Sequence, residues 1–151
     1  MTIALLLHML AAVIWVGGMF FAHVMLRPAA AALDPPVRLA LFRRVLGNFF
    51  PWVWACIIVL LASAYGILLP RLGGFAQAPV YVNIMQGIGL IMVAVFLHLF
   101  FAPWKRFRRA VEASDWPAAG AQLTQIRHLV LFNLVLGLIV VAIGGSGRYW
   151  S

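Results

Sequence analysis

Four histidines lie in or at the ends of the long apolar stretches of this chain: His8, His23, His98 and His128. An ionisable side chain in hydrocarbon is costly unless it has a partner, so each of them is a candidate functional residue. Neutral imidazole is a common ligand of haem iron and of copper. The sequence therefore indicates a metal centre within the membrane.

A b-type haem is the first centre that these residues could form, for electron transfer or redox chemistry with a quinone or a redox protein as partner. Its two axial ligands must reach the iron from opposite faces at nearly one depth. In the predicted spans, His98 lies at about the same depth in the membrane as His23 and His128. His8 and His98, in contrast, differ in depth by roughly 20 Å at the rise of an α-helix. Depth therefore favours His98 with His23 or His128.

Basic residues at the level of the three inner histidines could pair with the propionates of such a haem. Charge-assisted hydrogen bonds between guanidinium and carboxylate groups are strong and directional. The candidates are Arg27, Lys105, Arg106 and Arg127. We predict Arg27 and Arg127 as cofactor-binding residues.

Copper is the second metal that the residues could bind, for copper binding or transport across the membrane. Cu(I) prefers sulfur ligands with help from imidazole, and the chain has six methionines and one cysteine. At 100° per residue, His8, Trp15 and Met19 share one face of the first span, which could line a pocket. The spacing of the methionines is equally consistent with core filling. The predicted metal ligands are His8, His98 and Met19.

A third interpretation is a structural or assembly protein without a metal. Its histidines would then form hydrogen bonds within the bundle. Glycines such as Gly87 and Gly137 could pack helices within one chain or join two chains in a homodimer. Both uses of small residues remain open.

The acidic residues exclude several classes of enzyme. All three carboxylates, Asp34, Glu112 and Asp115, lie between the apolar stretches, so none is available in the membrane for paired-acid chemistry or a carboxylate proton relay. A hydrolase or an ion pump is therefore disfavoured. If the protein is an enzyme, a haem-dependent oxidoreductase agrees with its histidines.

Composition identifies an integral membrane protein. Of the 151 residues, 66% are hydrophobic and 9% are charged, and the mean hydropathy is +1.06. A soluble chain needs many more charges. The net charge of +8 comes from basic residues between apolar stretches, where membrane topology explains them, so we expect a lipid bilayer and no nucleic acid as partner.

Four stretches are long enough to cross a bilayer as helices, since about 20 apolar residues suffice. The predicted spans are about 3–26, 50–69, 80–103 and 128–145. After the first span, VRLALFRRVLGNF has apolar and basic residues at helical spacing, which predicts a short amphipathic helix at the interface. We therefore predict one all-α domain over residues 1–151, a four-transmembrane-helix bundle.

Basic residues predict the orientation of the bundle. Nine of the eleven lie in the first and third connections, and the opposite side has only Arg71 and Arg148. The positive-inside rule then places the first and third connections in the cytoplasm and both termini outside. We expect the chain in the cytoplasmic (inner) membrane of a bacterium.

Three segments form a recognisable pattern: LLLHMLAAVIWVGGMFFAHVMLRP, FRRVLGNFFPWVW and VFLHLFFAPWKRFRRAV. Together they resemble the copper resistance D (CopD) family of membrane proteins, and the resemblance covers nearly the entire chain. It implies copper handling and a four-helix core similar to that of di-haem cytochrome b membrane proteins. Its motif falls on His8, Trp15, Gly17, Gly18 and His98. We therefore predict haem ahead of copper, with His98 and His8 as the first candidate ligands, His23 and His128 as the second, and Trp15 as a further cofactor-binding residue.

The chain is more distantly similar to the HemJ-type protoporphyrinogen oxidases, which share a histidine, a tryptophan and an exit arginine in the first span. Those enzymes carry a lysine in the third span and an Arg-Asn-Glu-Pro type signature before the fourth. Here the third span has Asn83 and Gln86, and the fourth opens with Arg127, His128 and Asn133 without the glutamate. The resemblance therefore does not extend to the oxidase activity.

Overall fold

The computed structural model of the chain describes residues 1–150, which form four long helices. Each helix is long and apolar enough to cross a bilayer. They are α1 (Thr2–Ala30), α2 (Pro35–Arg71), α3 (Val80–Glu112) and α4 (Trp116–Tyr149). No strand occurs in residues 1–150, so the predicted all-α four-helix bundle is confirmed, and each predicted span falls within one helix.

The bundle has two chemically different ends. The connections 31–34 and 113–115 lie at one end with nine of the eleven basic residues; we call it the basic end. The connection 72–79 lies at the other end with the N-terminus and the end of α4; we call it the termini end. The antiparallel arrangement therefore concentrates positive charge at one side of the bundle.

α2 begins at Pro35, well before the predicted start of the second span. The amphipathic segment is present, but it is the first part of this helix and not a separate one. Leu39, Phe42, Leu46 and Phe50 are all buried, at the three- and four-residue spacing of a single helical stripe. Because this stripe continues from the amphipathic part into the apolar part, nothing in the packing separates the two.

Two helices widen into π-helical turns, and each of these segments ends just before a proline. Phe21–Leu26 in α1 precedes Pro28, and Ala64–Leu68 in α2 precedes Pro70. A proline within a helix lacks the N–H donor, and its ring collides with the carbonyl four residues earlier. An extra residue in the preceding turn relieves this collision while the helix continues.

α3 bends where it leaves the apolar region. Ala102 has φ −116° and ψ −86°, outside the helical range, and Pro103 starts the terminal segment Pro103–Glu112. Trp104 and Phe107 of this segment are buried. The segment after the bend packs against α4, and both rings are part of the hydrophobic core.

Aromatic side chains join three of the helices. α1 packs against α2 and α4, and α3 packs against α4. Phe96 of α3 meets Phe50 and Trp54 of α2 edge-on, with ring centroids 5.6 and 5.5 Å apart, and its centroid lies 6.4 Å from that of Trp15 in α1. Edge-to-face pairs of this kind add to the area they bury, so Phe96 is a central residue of the core.

Gly137 lies at a close approach of α4 to two of its neighbours. A Cβ atom added there would lie 2.8 Å from Val16 of α1 and 3.2 Å from Met92 of α3. Small residues allow helix backbones to approach closely in membranes. Gly137 therefore packs helices within this chain, which is one of the two uses that the sequence left open.

Candidate functional site

His8 lies in the bundle near the termini end and is hydrogen-bonded to a side chain of another helix. Its Nδ1 atom is 2.8 Å from the hydroxyl oxygen of Ser63. That hydroxyl donates to the Val59 carbonyl at 2.6 Å, with the Leu60 carbonyl at 3.1 Å. α1 thus contributes the imidazole, and α2 contributes the group that holds it.

The hydrogen bonds of Ser63 bear on the tautomer of His8. A serine hydroxyl has one proton, and two carbonyls of its own helix lie within hydrogen-bond distance of the Ser63 hydroxyl. When that proton goes to one of these carbonyls, the oxygen accepts from the Nδ1–H of His8, and a neutral ring then carries its free lone pair on Nε2. Metal-binding histidines use this arrangement, in which the other ring nitrogen donates to an orienting group.

Ser63 was not predicted from the sequence, although a signal for it exists. It is buried in the core and stands in the otherwise apolar stretch LLASAYG. A serine in such a stretch either bonds back to its own helix or reaches a neighbour. Ser63 does both, which makes it the positioning residue of His8.

The remainder of the His8 face of α1 is part of the packed core. Trp15 and Met19 are both buried, and the Trp15 ring packs edge-on against Phe96. Cys56 of α2 is also buried, with a free thiol. The predicted face therefore does point into the bundle, and aromatic packing occupies the interior where Trp15 lies.

His98 lies on an exposed face of α3, one turn before the bend at Ala102. The buried residues of this helix are Met92, Phe96 and Leu99, and His98 points away from the face they form. His98 and His8 lie near opposite ends of the bundle, so the structure does not bring these two predicted ligands together. His128 is likewise exposed, at the basic end of α4.

His23, Arg27 and Arg127, three of the predicted cofactor-binding residues, line one cavity at the basic end. The cavity has a volume of about 530 Å³ and lies between α1, α2 and α4. Arg38 and Thr124 contribute further polar groups to it. Its apolar lining is formed by Ala22, Pro28, Ala31, Leu39, Phe42, Leu46, Leu123, Ile126 and Val130.

The arginines of this cavity have no carboxylate partner within residues 1–150. The ion pair that residues 1–150 do contain joins Arg43 to Glu112 at 3.4 Å, and neither residue lines the cavity. Arg38 donates to the Leu33 carbonyl at 3.4 Å, which is a weak contact at that length. The cavity therefore carries a concentrated positive charge over an apolar lining.

Two amide side chains within the helices keep unused hydrogen-bonding groups. Asn133 of α4 is buried and donates its Nδ2 to the Met92 carbonyl of α3 at 3.0 Å, while its Oδ1 has no partner. Both amide atoms of Gln86 are buried without a partner. Each such group needs an explanation, because unpaired polar atoms are expensive in hydrocarbon.

Hard metal sites with several charged ligands do not occur in the described part of the chain. Residues 1–150 contain no group of three or more His, Cys, Asp or Glu side chains placed to hold a metal ion. His8, His23, His98 and His128 therefore do not form a single cluster of ligands.

Comparison with known proteins identifies the family. A search of curated proteins and of solved structures found no match to the chain. The family model described as Copper resistance protein D (CopD) matches residues 43–146. The match covers more than half of the chain and takes in most of α2 and all of α3. The chain is therefore a multi-pass membrane protein that belongs to the copper resistance protein D family.

Proposed function

We propose that this protein binds Cu(I) within the membrane as its cargo, with His8 as the intramembrane ligand and Ser63 as the residue that positions it. The observation that carries the proposal is the hydrogen bond between Nδ1 of His8 and the Ser63 hydroxyl, at 2.8 Å. When Ser63 donates to its own helix, this bond leaves the free lone pair of a neutral ring on Nε2. Membership of a family linked to copper resistance supports copper as the metal.

The donor set suits Cu(I) better than a harder ion. A structural zinc site needs four ligands, and calcium or magnesium needs several oxygens. Residues 1–150 offer no such cluster, but the chain has six methionines and one cysteine. Thioether and thiolate sulfur together with imidazole is the chemistry that selects Cu(I). A site with few ligands also releases its ion readily, as a cargo site must.

The expected orientation of the bundle would place His8 near the side of the membrane from which copper arrives. The positive-inside rule supports a cytoplasmic basic end and places both termini on the outer side of a bacterial inner membrane. His8 follows closely after the N-terminus. It would then meet an ion arriving from outside, before that ion passes the aromatic core around Phe96.

A b-type haem is the second candidate, and it ranks behind copper. A haem with two histidine ligands needs imidazoles on opposite faces of one iron, whereas His98 and His128 lie on exposed surfaces of the chain. In that form of the haem hypothesis, a second copy of the chain would supply the opposite ligand in a homodimer. The haem hypothesis also requires an electron partner, such as a quinone or a redox protein.

The deciding experiment measures metal binding by the purified full-length protein in detergent. Cu(I) affinity is determined by competition with a chromophoric chelator for the wild type, His8→Ala and His98→Ala. We expect His8→Ala to weaken binding at least about tenfold, since a lost ligand costs more than 1.4 kcal/mol, and His98→Ala to bind as the wild type does. An unchanged affinity in His8→Ala contradicts the proposal.

The same samples test the haem hypothesis through their absorption spectra. A reduced-state haem spectrum that disappears in His98→Ala would show that the protein binds haem through His98, and haem would then replace copper as the proposed ligand. A colourless protein that loses stoichiometric copper with His8 supports the proposal. Bacterial cells expressing each variant provide a second measurement, because a copper carrier changes the copper content of cells and His8→Ala should abolish that change.

A further inference from the structure

We infer that the cavity at the basic end binds the phosphate group of an anionic phospholipid of the surrounding membrane. The cavity is lined by Arg27, Arg38 and Arg127 together with His23. It is separate from the His8 site, so this inference does not depend on the proposed copper function.

The charge of the cavity calls for an anion. Three guanidinium groups line a cavity of about 530 Å³. Within residues 1–150, no carboxylate pairs with any of them. Like charges that share a small space repel one another unless a counter-charge is bound. Arginine binds phosphate oxygens through several N–H donors at once. A phosphate group is therefore the complementary ligand.

On each of the three helices that line the cavity, the lining residue deepest in the bundle is apolar. α2 places Arg38 near its start, and then Leu39, Phe42 and Leu46 successively deeper in the bundle. Val130 of α4 likewise lies deeper than the start of that helix. A ligand that fits this gradient has an anionic head and an apolar tail, which is the chemistry of a phospholipid.

The position of the cavity also favours a lipid over a free anion. It lies at the end of the apolar helices, where headgroups of the bilayer are found. Basic pockets between transmembrane helices are recognised as sites for anionic headgroups. The cavity is smaller than a whole lipid, so the acyl chains would leave it along the exposed apolar surface and rejoin the bilayer.

The π-helical turn of α1 contributes to the shape of this site. Phe21–Leu26 contains His23 and directly precedes Arg27. An extra residue in a helical turn rotates every later side chain relative to a regular helix. Pro28, which requires this turn, therefore sets the direction in which Arg27 meets the cavity.

The test compares lipid binding by two double variants of the full-length protein. Arg27→Gln/Arg127→Gln removes two charges from the cavity. Arg44→Gln/Arg109→Gln removes two exposed charges from the same end outside the cavity. Native mass spectrometry measures the affinity for phosphatidylglycerol, with phosphatidylcholine as the neutral lipid. We expect the cavity variant to lose at least about tenfold in affinity and the control less than about twofold, since bonds to charged groups contribute about 1.5–3 kcal/mol each.

A third variant keeps the test valid if the cavity variant does not fold. Gly120 lines the cavity, and a Cβ atom added there meets nothing within 4 Å. Gly120→Leu fills the cavity without altering the charge, and leucine also favours the helix. We expect it to reduce phosphatidylglycerol binding while the thermal stability of the lipid-free protein is retained.

Three outcomes would overturn the inference. The first is an equal loss of affinity in the cavity variant and in the control, because surface charge alone would then explain binding. The second is inorganic phosphate that displaces the lipid at matched concentration, which would identify a free anion as the ligand. The third is a haem spectrum of the purified protein that depends on Arg27 and Arg127, which would assign the cavity to haem propionates.

Discussion

His8 and Ser63 are 55 positions apart in sequence, yet Nδ1 of the one and the hydroxyl oxygen of the other are 2.8 Å apart in the fold. The bond joins α1 to α2 near the termini end, within the apolar part of the bundle. It serves two purposes that can be measured separately. It ties two helices together, and it orients the imidazole ring of His8.

Replacing Ser63 should separate these two purposes. We expect Ser63→Ala to lower the free energy of unfolding by about 0.6–1.7 kcal/mol, the range measured for hydrogen bonds between membrane helices. It should also weaken Cu(I) binding, because the orienting partner of a metal-binding imidazole typically contributes about 10–100-fold in affinity. Thermal unfolding in detergent and chelator competition measure the two effects.

Ser63→Thr is the matched control for this prediction, since it keeps a hydroxyl that can bond to a carbonyl of its own helix. It should retain most of the Cu(I) affinity. Equal affinities in Ser63→Ala and the wild type would show that Ser63 has only a structural role, and His8 would then have to be oriented by another group.

Replacing a glycine of α4 by alanine should have opposite effects on stability at two positions. At Gly137 the new Cβ would lie 2.8 Å from Val16, and valine has little freedom to move away. Gly137→Ala should therefore destabilise the bundle by about 1–3 kcal/mol, the usual cost of overpacking. At Gly145 nothing lies within 4 Å, and Gly145→Ala should be neutral or gain up to about 1 kcal/mol from helix propensity.

Thermal unfolding of the two variants in one detergent provides the comparison. The order of the two midpoints is the informative result, because both variants differ from the wild type by the same group on the same helix. A Gly137→Ala protein as stable as Gly145→Ala would show that α1, α3 and α4 do not pack as closely as the structure has them.

The four spans could be predicted from composition because length and hydropathy suffice to define them. The helix ends at the basic end could not, since α2 and α4 continue through residues of mixed polarity that resemble connections. In α2, the buried spacing of Leu39, Phe42, Leu46 and Phe50 runs through the predicted boundary. The stripe indicates one continuous helix and not two separate segments.

The direction of the histidines was predictable for α1 and not for α3. Ala11, Trp15 and Met19 mark a buried face near His8, and large side chains there indicate the interior. Around His98 both faces of the helix are apolar, so periodicity does not distinguish the bundle from the lipid. The cavity around Arg27 and Arg127 depends on how distant segments meet, which no local pattern contains.

Single cysteines should report the orientation of the bundle. Ala76 lies in the connection at the termini end and Ala113 in a connection at the basic end, and both are exposed. In a Cys56→Ser background, we expect a membrane-impermeant maleimide to label Ala76→Cys in whole bacterial cells and Ala113→Cys only after lysis. Labelling of both after lysis serves as the control for accessibility, and the reverse pattern in whole cells would contradict the orientation.

Asn133 tests whether a buried amide of the bundle serves structure or function. Its Nδ2 donates to the Met92 carbonyl at 3.0 Å, but its Oδ1 has no partner. Met92 lies within a helix, where its carbonyl can bond to the N–H four residues later. Asn133→Leu therefore removes one interhelical bond and one unpaired polar atom together, and we expect a net change within about 1 kcal/mol.

Asn133→Asp is the contrasting variant, because it has the same size and introduces an acid into the membrane interior. We expect it to be destabilised by about 2.5–3.5 kcal/mol, the cost of a charge at the centre of a membrane helix. Both unfolding midpoints are measured in the same detergent, and Cu(I) affinity is measured beside them. If Asn133→Leu is as stable as the wild type but loses copper, then the free Oδ1 lies on the copper route, and the amide is retained for function at no cost to the fold.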